Sequence, residues 1–209
     1  GGTIEQGGPG GGGRLILGNK DIRLIRRIGY PIKAVSGNIS IVTKMKYRNN
    51  EKTLEINGFT EDGLKMQNYQ AELGRLITNA DVEKNARVAI IGLKVREKLF
   101  NTENPIGKNV LIQSTKYRVI GMFKSKGGSG GFGPSLDEQA LIPITTMSKQ
   151  FNQDKFNAVT VSIANKDEIN AAKKKIEKEL LKIHKKDDFT VLGQEELLNT
   201  INSILGVIT

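Results

Sequence analysis

His184 is the first residue to weigh for chemistry, because it is the only imidazole in the 209-residue chain and there is no cysteine beside it. A thiolate nucleophile, a disulfide and a cysteine-ligated zinc are excluded, and a Ser-His-Asp arrangement has one candidate base. That base sits among Lys182, Lys185 and Lys186, a setting that predicts a solvated residue near a helix end. Asp187 and Asp188 are adjacent carboxylates, but neighbours on an extended chain point to opposite faces, so they read as turn residues. Arg75 and Asp81 read as a helix cap and a solvated ion pair. Of two glycine tracts, residues 7–13 and 126–134, the first invites a phosphate-loop reading, yet no Gly-Lys-Ser/Thr follows it. Gly107-Lys108 fails as well, since Asn109 follows it and Thr102 stands where the first glycine belongs. No catalytic constellation, no cofactor and no metal site is expected from these residues.

The elements that must position them are those of an ordinary globular chain, 37% hydrophobic and 26% charged, with 5% aromatic residues and no Trp. The net charge of +10 is uneven: residues 1–60 carry ten basic and four acidic groups, residues 61–150 thirteen and nine, residues 151–209 nine and nine. A basic surface attracts nucleic acid or an anionic membrane, but specific nucleic-acid modules bring a recognition helix or stacking aromatics, so no nucleic acid is expected. Arg23, Arg26 and Arg27 read instead as the solvated face of a packed helix. No run reaches the roughly 18 apolar residues of a membrane-spanning helix, the nearest approach being Ile201 to Thr209. The chain lacks an initiating Met and a signal peptide, and is expected to be a piece of something longer.

Thr3 to Gln6 reads as an edge strand and Asp21 to Ile28 as a helix stopped by Gly29 and Pro31. Val35 to Tyr47 and Lys52 to Phe59 make a hairpin. From Thr60 the texture changes to short elements: a helix over Asp62 to Asn68, a turn capped by Thr78 and Asp81, a strand Arg87 to Ile91, and a helix Leu93 to Phe100 with Val95, Leu99 and Phe100 inward. A second hairpin pairs Asn109 to Gln113 with Lys116 to Phe123. After the second glycine tract comes a strand Gln139 to Ile144. Long elements return after Gln153: a strand Ala158 to Ile163, a helix with Ile169, Ala172, Ile176, Leu180 and Ile183 on one face, a strand Phe189 to Leu192, and a helix opened by Glu195.

Several ordered blocks carry a resemblance. Gly74-Arg75, Asp81, Arg87 to Gly92, Leu99-Phe100, Asn104 to Lys108, Tyr117 to Met122, Leu141 to Thr146 and Asp187 to Val191 together resemble the extracytoplasmic domain of MacB-type ABC transporter permeases, a domain held between two transmembrane helices. The resemblance implies an α+β fold of two subdomains. One is a porter-like split βαβ unit over residues 1–58 and 155–209; the other is a smaller mixed α/β subdomain inserted over 59–154.

It also implies a non-catalytic domain of an efflux or mechanotransmission permease in the inner membrane, with the domain on the extracytoplasmic, periplasmic side. Cytoplasmic ATP hydrolysis would take place on a separate nucleotide-binding domain. The implied partners are a second permease copy, that ATPase domain, a periplasmic adaptor and an outer-membrane channel. The candidate partner contact or gate is the second glycine tract, Lys126, Gly128, Gly130, Gly131, Phe132, Gly133 and Pro134. There one large apolar side chain flanked by glycines can enter a partner's pocket at little steric cost, the alternative being that Phe132 folds back onto its own subdomain. The competing function is an extracytoplasmic ligand-binding module that captures a peptide or lipidated substrate.

Overall fold

The computed structural model describes residues 2–6, 14–125 and 135–196. In chain order the elements are β1 (Gly2–Gln6), α1 (Asn19–Arg26), β2 (Ile32–Tyr47), β3 (Asn50–Phe59), α2 (Glu61–Gln67), β4 (Ala71–Gly74), α3 (Asn79–Glu83), β5 (Val88–Ile91), α4 (Leu93–Phe100) and β6 (Asn109–Ile112). They continue with β7 (Thr115–Phe123), β8 (Gln139–Leu141), α5 (Ile144–Phe151), β9 (Ala158–Ile163), α6 (Ile169–Leu180) and β10 (Phe189–Gly193). The chain divides into two compact units, residues 1–38 with 154–209, and residues 39–153. The first divide falls inside β2, whose sixteen residues run without a break. No change of texture marks that point in the sequence, which is why the sequence places it one hairpin later, at residue 58.

The first unit has the order β-α-β-β-α-β, with strands arranged β10-β1-β9-β2, the arrangement of a ferredoxin-like split βαβ motif. β1 pairs antiparallel with β10 from Gly2 opposite Gly193 to Gln6 opposite Phe189, and with β9 on its other side. The first strand is therefore central, contrary to the edge position expected of it; its shortness and flanking glycines conceal that it bridges two later strands. In α6 the four-residue spacing of Ala172, Ile176 and Leu180 buries one stripe. Ile25 of α1 and Val159, Val161, Phe189 and Val191 of the sheet are buried with them, each large side chain contributing about 1.5–3 kcal/mol. Ile183 lies past the end of α6 and is exposed, so the stripe is one residue shorter than its sequence pattern.

The second unit closes on itself. β2 pairs with β3, β3 runs parallel to β8, β8 antiparallel to β5 and β5 parallel to β7, while β6 pairs antiparallel with both β7 and β2. These pairings form a ring of six strands, with β4 added outside along β7. Closure removes the unpaired edges that an open sheet of short strands would present. Met45, Val110, Ile112, Tyr117 and Val119 are buried on one side of the ring, and Phe100 of α4 packs on Tyr47 with ring centroids 4.1 Å apart. A second apolar cluster gathers Phe59, Ile77, Ile90, Ile120, Phe123 and Leu141.

Candidate functional site

The candidate contact residues Lys126, Gly128, Gly130, Gly131, Phe132, Gly133 and Pro134 lie outside the described residues. What the structure describes is how the chain leaves for that tract and returns from it. On the outgoing side β7 ends at Phe123, and the Lys124 amide donates to the Gln70 carbonyl at 2.8 Å. The Ser125 hydroxyl then donates across the gap to both carboxylate oxygens of Asp137, at 2.6 Å each. On the returning side Ser135 caps a single 3-10 turn over Leu136–Glu138, its hydroxyl accepting from the Asp137 amide at 3.3 Å. The two ends of the tract are thus joined by one side-chain bridge.

The returning turn is held from below by Gly92, whose amide donates to the Gln139 carbonyl at 2.9 Å. A Cβ at Gly92 would lie 2.3 Å from the Asp137 carbonyl oxygen and 2.4 Å from that of Leu136, so only glycine admits this approach. Gly92→Ala is expected to cost about 2 kcal/mol in a urea titration because the turn must shift, and Ser125→Ala, at an exposed bridge, less than about 1 kcal/mol. Equal costs for the two would show that the side-chain bridge, and not the backbone contact, anchors the return. Sequence reasoning missed Ser125, Ser135 and Asp137; the Ser-Leu-Asp run was the legible signal, a serine placed to accept from an amide two residues on.

Of the residues with chemical potential, Arg75 and Asp81 are brought together. The guanidinium donates to both carboxylate oxygens, at 2.7 and 3.1 Å, while Asp81 also accepts from the Thr78 amide and hydroxyl at 2.9 and 3.1 Å. Thr78 in turn caps α3 by accepting from the Asp81 amide, so the capping reading holds. Asp81 is buried, however, and only the arginine is solvated. The arginine's hydrogen bonds, helped by those from Thr78 and opposed by burial, hold the Asp81 carboxyl below its ordinary range.

His184 departs further from expectation. Its ring Nε2 lies 2.5 Å from Asp21 Oδ1, with 15% of its side chain and 3% of the aspartate's exposed. Asp21 also accepts from the Gly18 amide at 2.9 Å, capping α1. The residue lies past the last turn of α6, where the chain folds back toward α1, and the lysines around it in sequence gave no sign of that return. Asp187 and Asp188 form an exposed turn, Asp188 accepting from the Lys185 amide at 3.1 Å. Among the described residues no three of His, Asp and Glu gather as a metal cluster, and no helix is long and apolar enough to cross a membrane. Burial pushes the phenols of Tyr69 and Tyr117 up to about 12, and Tyr117 donates to the Gln150 side chain, a role in packing.

A family model described as the MacB-like periplasmic core domain matches residues 2–179. The macrolide export ATP-binding/permease protein MacB of Chlorobium luteolum is 26% identical over 189 residues, covering 88% of this chain and 28% of that protein. The pyoverdine export ATP-binding/permease protein PvdT of Pseudomonas aeruginosa is 28% identical over 173 residues, covering 78% and 26%. The chain spans little more than a quarter of the length of these curated relatives. In structure it is similar to the periplasmic region of MacB from Actinobacillus actinomycetemcomitans, with a TM-score of 0.80, 22% identity, and 96% and 92% of the two chains covered. It is also similar to the extracellular domain of the noncanonic ABC-type transporter YknZ from Gram-positive bacteria, with a TM-score of 0.77, 20% identity, and 91% and 98% covered. With its split βαβ unit, its inserted ring of strands and a family match over most of its length, the chain belongs to the MacB-like periplasmic core domains.

Proposed function

We propose that this chain is the non-catalytic extracytoplasmic core of an ABC-type export permease, coupling ATP hydrolysis on a cytoplasmic domain to export across the membrane. The observation that carries the reading is the family match over residues 2–179, supported by relatives named as export ATP-binding/permease proteins. In this reading the permease works as a homodimer, and its extracytoplasmic domain passes the movement on to a periplasmic adaptor and an outer-membrane channel.

The second glycine tract is the proposed partner contact, with Phe132 as its anchor. The full-length permease carrying Phe132→Ala is expected to lose export by about fivefold or more in proteoliposomes with its adaptor. Its ATP hydrolysis without adaptor and its thermal midpoint should stay at the wild-type values. A midpoint lowered by many degrees would make Phe132 a packing residue and remove the contact. A full-length gene product with neither membrane spans nor an associated ATPase would overturn the larger reading.

A further inference from the structure

We infer that the outer face of β2, β6 and β7 in the second unit is a docking surface for the acidic face of a folded protein partner. Antiparallel register sets Lys46 of β2 opposite Leu111 of β6, Leu111 opposite Lys116 of β7, and Asn109 opposite Arg118. Directly opposed residues point to the same side of a sheet, and so do residues two apart along a strand. Val42, Lys44, Lys46, Leu111, Lys116 and Arg118 therefore share one face, and all six are exposed, Val42 to 71% and Leu111 to 37%. The alternate residues Met45, Val110, Ile112, Tyr117 and Val119 are buried, so the pleat leaves this face to solvent with four cations around two aliphatic side chains. Among the described residues Glu51 of β3 pairs with one of these cations, 3.6 Å from Lys44.

Strands about 4.8 Å apart place Lys46 and Lys116, on either side of Leu111, about 10 Å from each other. That spacing suits separate carboxylates on a rigid surface with an apolar contact between them, the arrangement of an interface whose charges steer and whose centre excludes water. An anionic bilayer is the poorer fit. Interfacial membrane faces carry Trp or Tyr anchors, whereas the six residues include no aromatic group and Glu51 at their border would be repelled.

This inference rests on the proposed role as a permease domain that works with an adaptor outside the membrane, and the test separates the two. The full-length permease in nanodiscs and its adaptor are titrated at salt between about 0.05 and 0.5 M, a range over which exposed charge pairs become screened. The wild type is compared with a Lys46→Glu, Lys116→Glu, Arg118→Glu triple variant and with the corresponding triple glutamine variant. Binding is expected to weaken about tenfold or more at low salt in the glutamate variant, less in the glutamine variant, with both losing the salt dependence of the wild type. Unchanged thermal midpoints establish folding, and the glutamine variant carries the test alone if the glutamate variant unfolds. Equal binding by wild type and variants overturns the docking surface while leaving the adaptor reading intact. No binding by the wild type overturns both. Binding of the wild type but not the variants to phosphatidylglycerol vesicles added to the nanodiscs, with adaptor affinity unchanged, assigns the face to lipid and overturns the inference.

Discussion

Gly121→Ala is expected to destabilise the second unit by about 3 kcal/mol, enough to lower its thermal midpoint by about 10 °C. The cause is a contact between two backbones. β4 meets β7 through a register shift that sets Gly74 opposite Gly121, and the Arg75 amide donates to the Ile120 carbonyl at 2.9 Å. A Cβ on Gly121 would lie 2.3 Å from the Arg75 carbonyl oxygen, and one on Gly74 would lie 2.0 Å from that of Ile120. Neither neighbour can rotate away: Ile120 belongs to β7, and Arg75, directly after β4, is tied to it through its own amide. Gly74 also has φ +67°, which adds about 1 kcal/mol for any L side chain. Gly74→Ala should therefore be at least as costly as Gly121→Ala.

The comparison that isolates the steric cause is Gly107→Ala. Gly107 also has a positive φ, +84°, but a Cβ there meets nothing within 4 Å, so its substitution should cost only about 1 kcal/mol. Thermal unfolding of the three variants followed by circular dichroism checks the order. If Gly107→Ala proves as damaging as Gly74→Ala, backbone conformation and not close approach governs Gly74, which shares its positive φ.

These glycines show how much of the fold was legible. Gly74, Gly92 and Gly121 stand out in the sequence within the blocks that carry the family resemblance, yet nothing there says that each is a point where two backbones touch. Local signals with a physical mechanism were readable. Gly29, at φ +74°, closes the turn that follows α1, Thr78 with Asp81 caps α3, and the inward set Val95, Leu99 and Phe100 of α4 is buried. Elements whose identity depends on distant partners were not. β4 has four residues and no apolar run, and it exists because β7 pairs with it. The strand expected to run to Ile144 stops at Leu141, and α5 begins at Ile144 with Pro143 as its N-cap. β-branched residues on both sides of that proline resemble a strand, while a proline just before a helical run is a start signal that the branching concealed. The candidate site divides in the same way: the glycine tract was visible from composition, and the bridge at its base, Ser125 to Asp137, spans twelve residues and is set by the ring that closes beneath it.

Asp81→Ala is expected to cost about 2–3 kcal/mol at neutral pH, more than Arg75→Ala, although the two residues form one pair. The asymmetry follows from burial: the aspartate side chain is 11% exposed and the arginine 52%. Removing the arginine frees a carboxylate that keeps both Thr78 donors, whereas removing the carboxylate leaves the Thr78 amide without its acceptor at the start of α3. Asp81→Asn should fall between the two, since its carbonyl oxygen still caps the helix but no longer opposes the guanidinium charge. The pH dependence separates charge from shape. The Asp81 carboxyl titrates below its ordinary range in the folded chain, chiefly because Arg75 donates to it. A depressed folded value means that the contribution is complete above the unfolded value of about 4 and declines as pH falls through the folded one. The stability gap between wild type and Asp81→Asn should therefore be constant from about pH 5 to 7 and narrow toward about pH 3. Glu61 and Glu103, also held low by Lys65 and Lys108, titrate in the same window but are common to both proteins and cancel in the difference. A gap in urea midpoints of the same size at both ends of that range would show that the asparagine fails through geometry, and that the ion pair contributes nothing of its own.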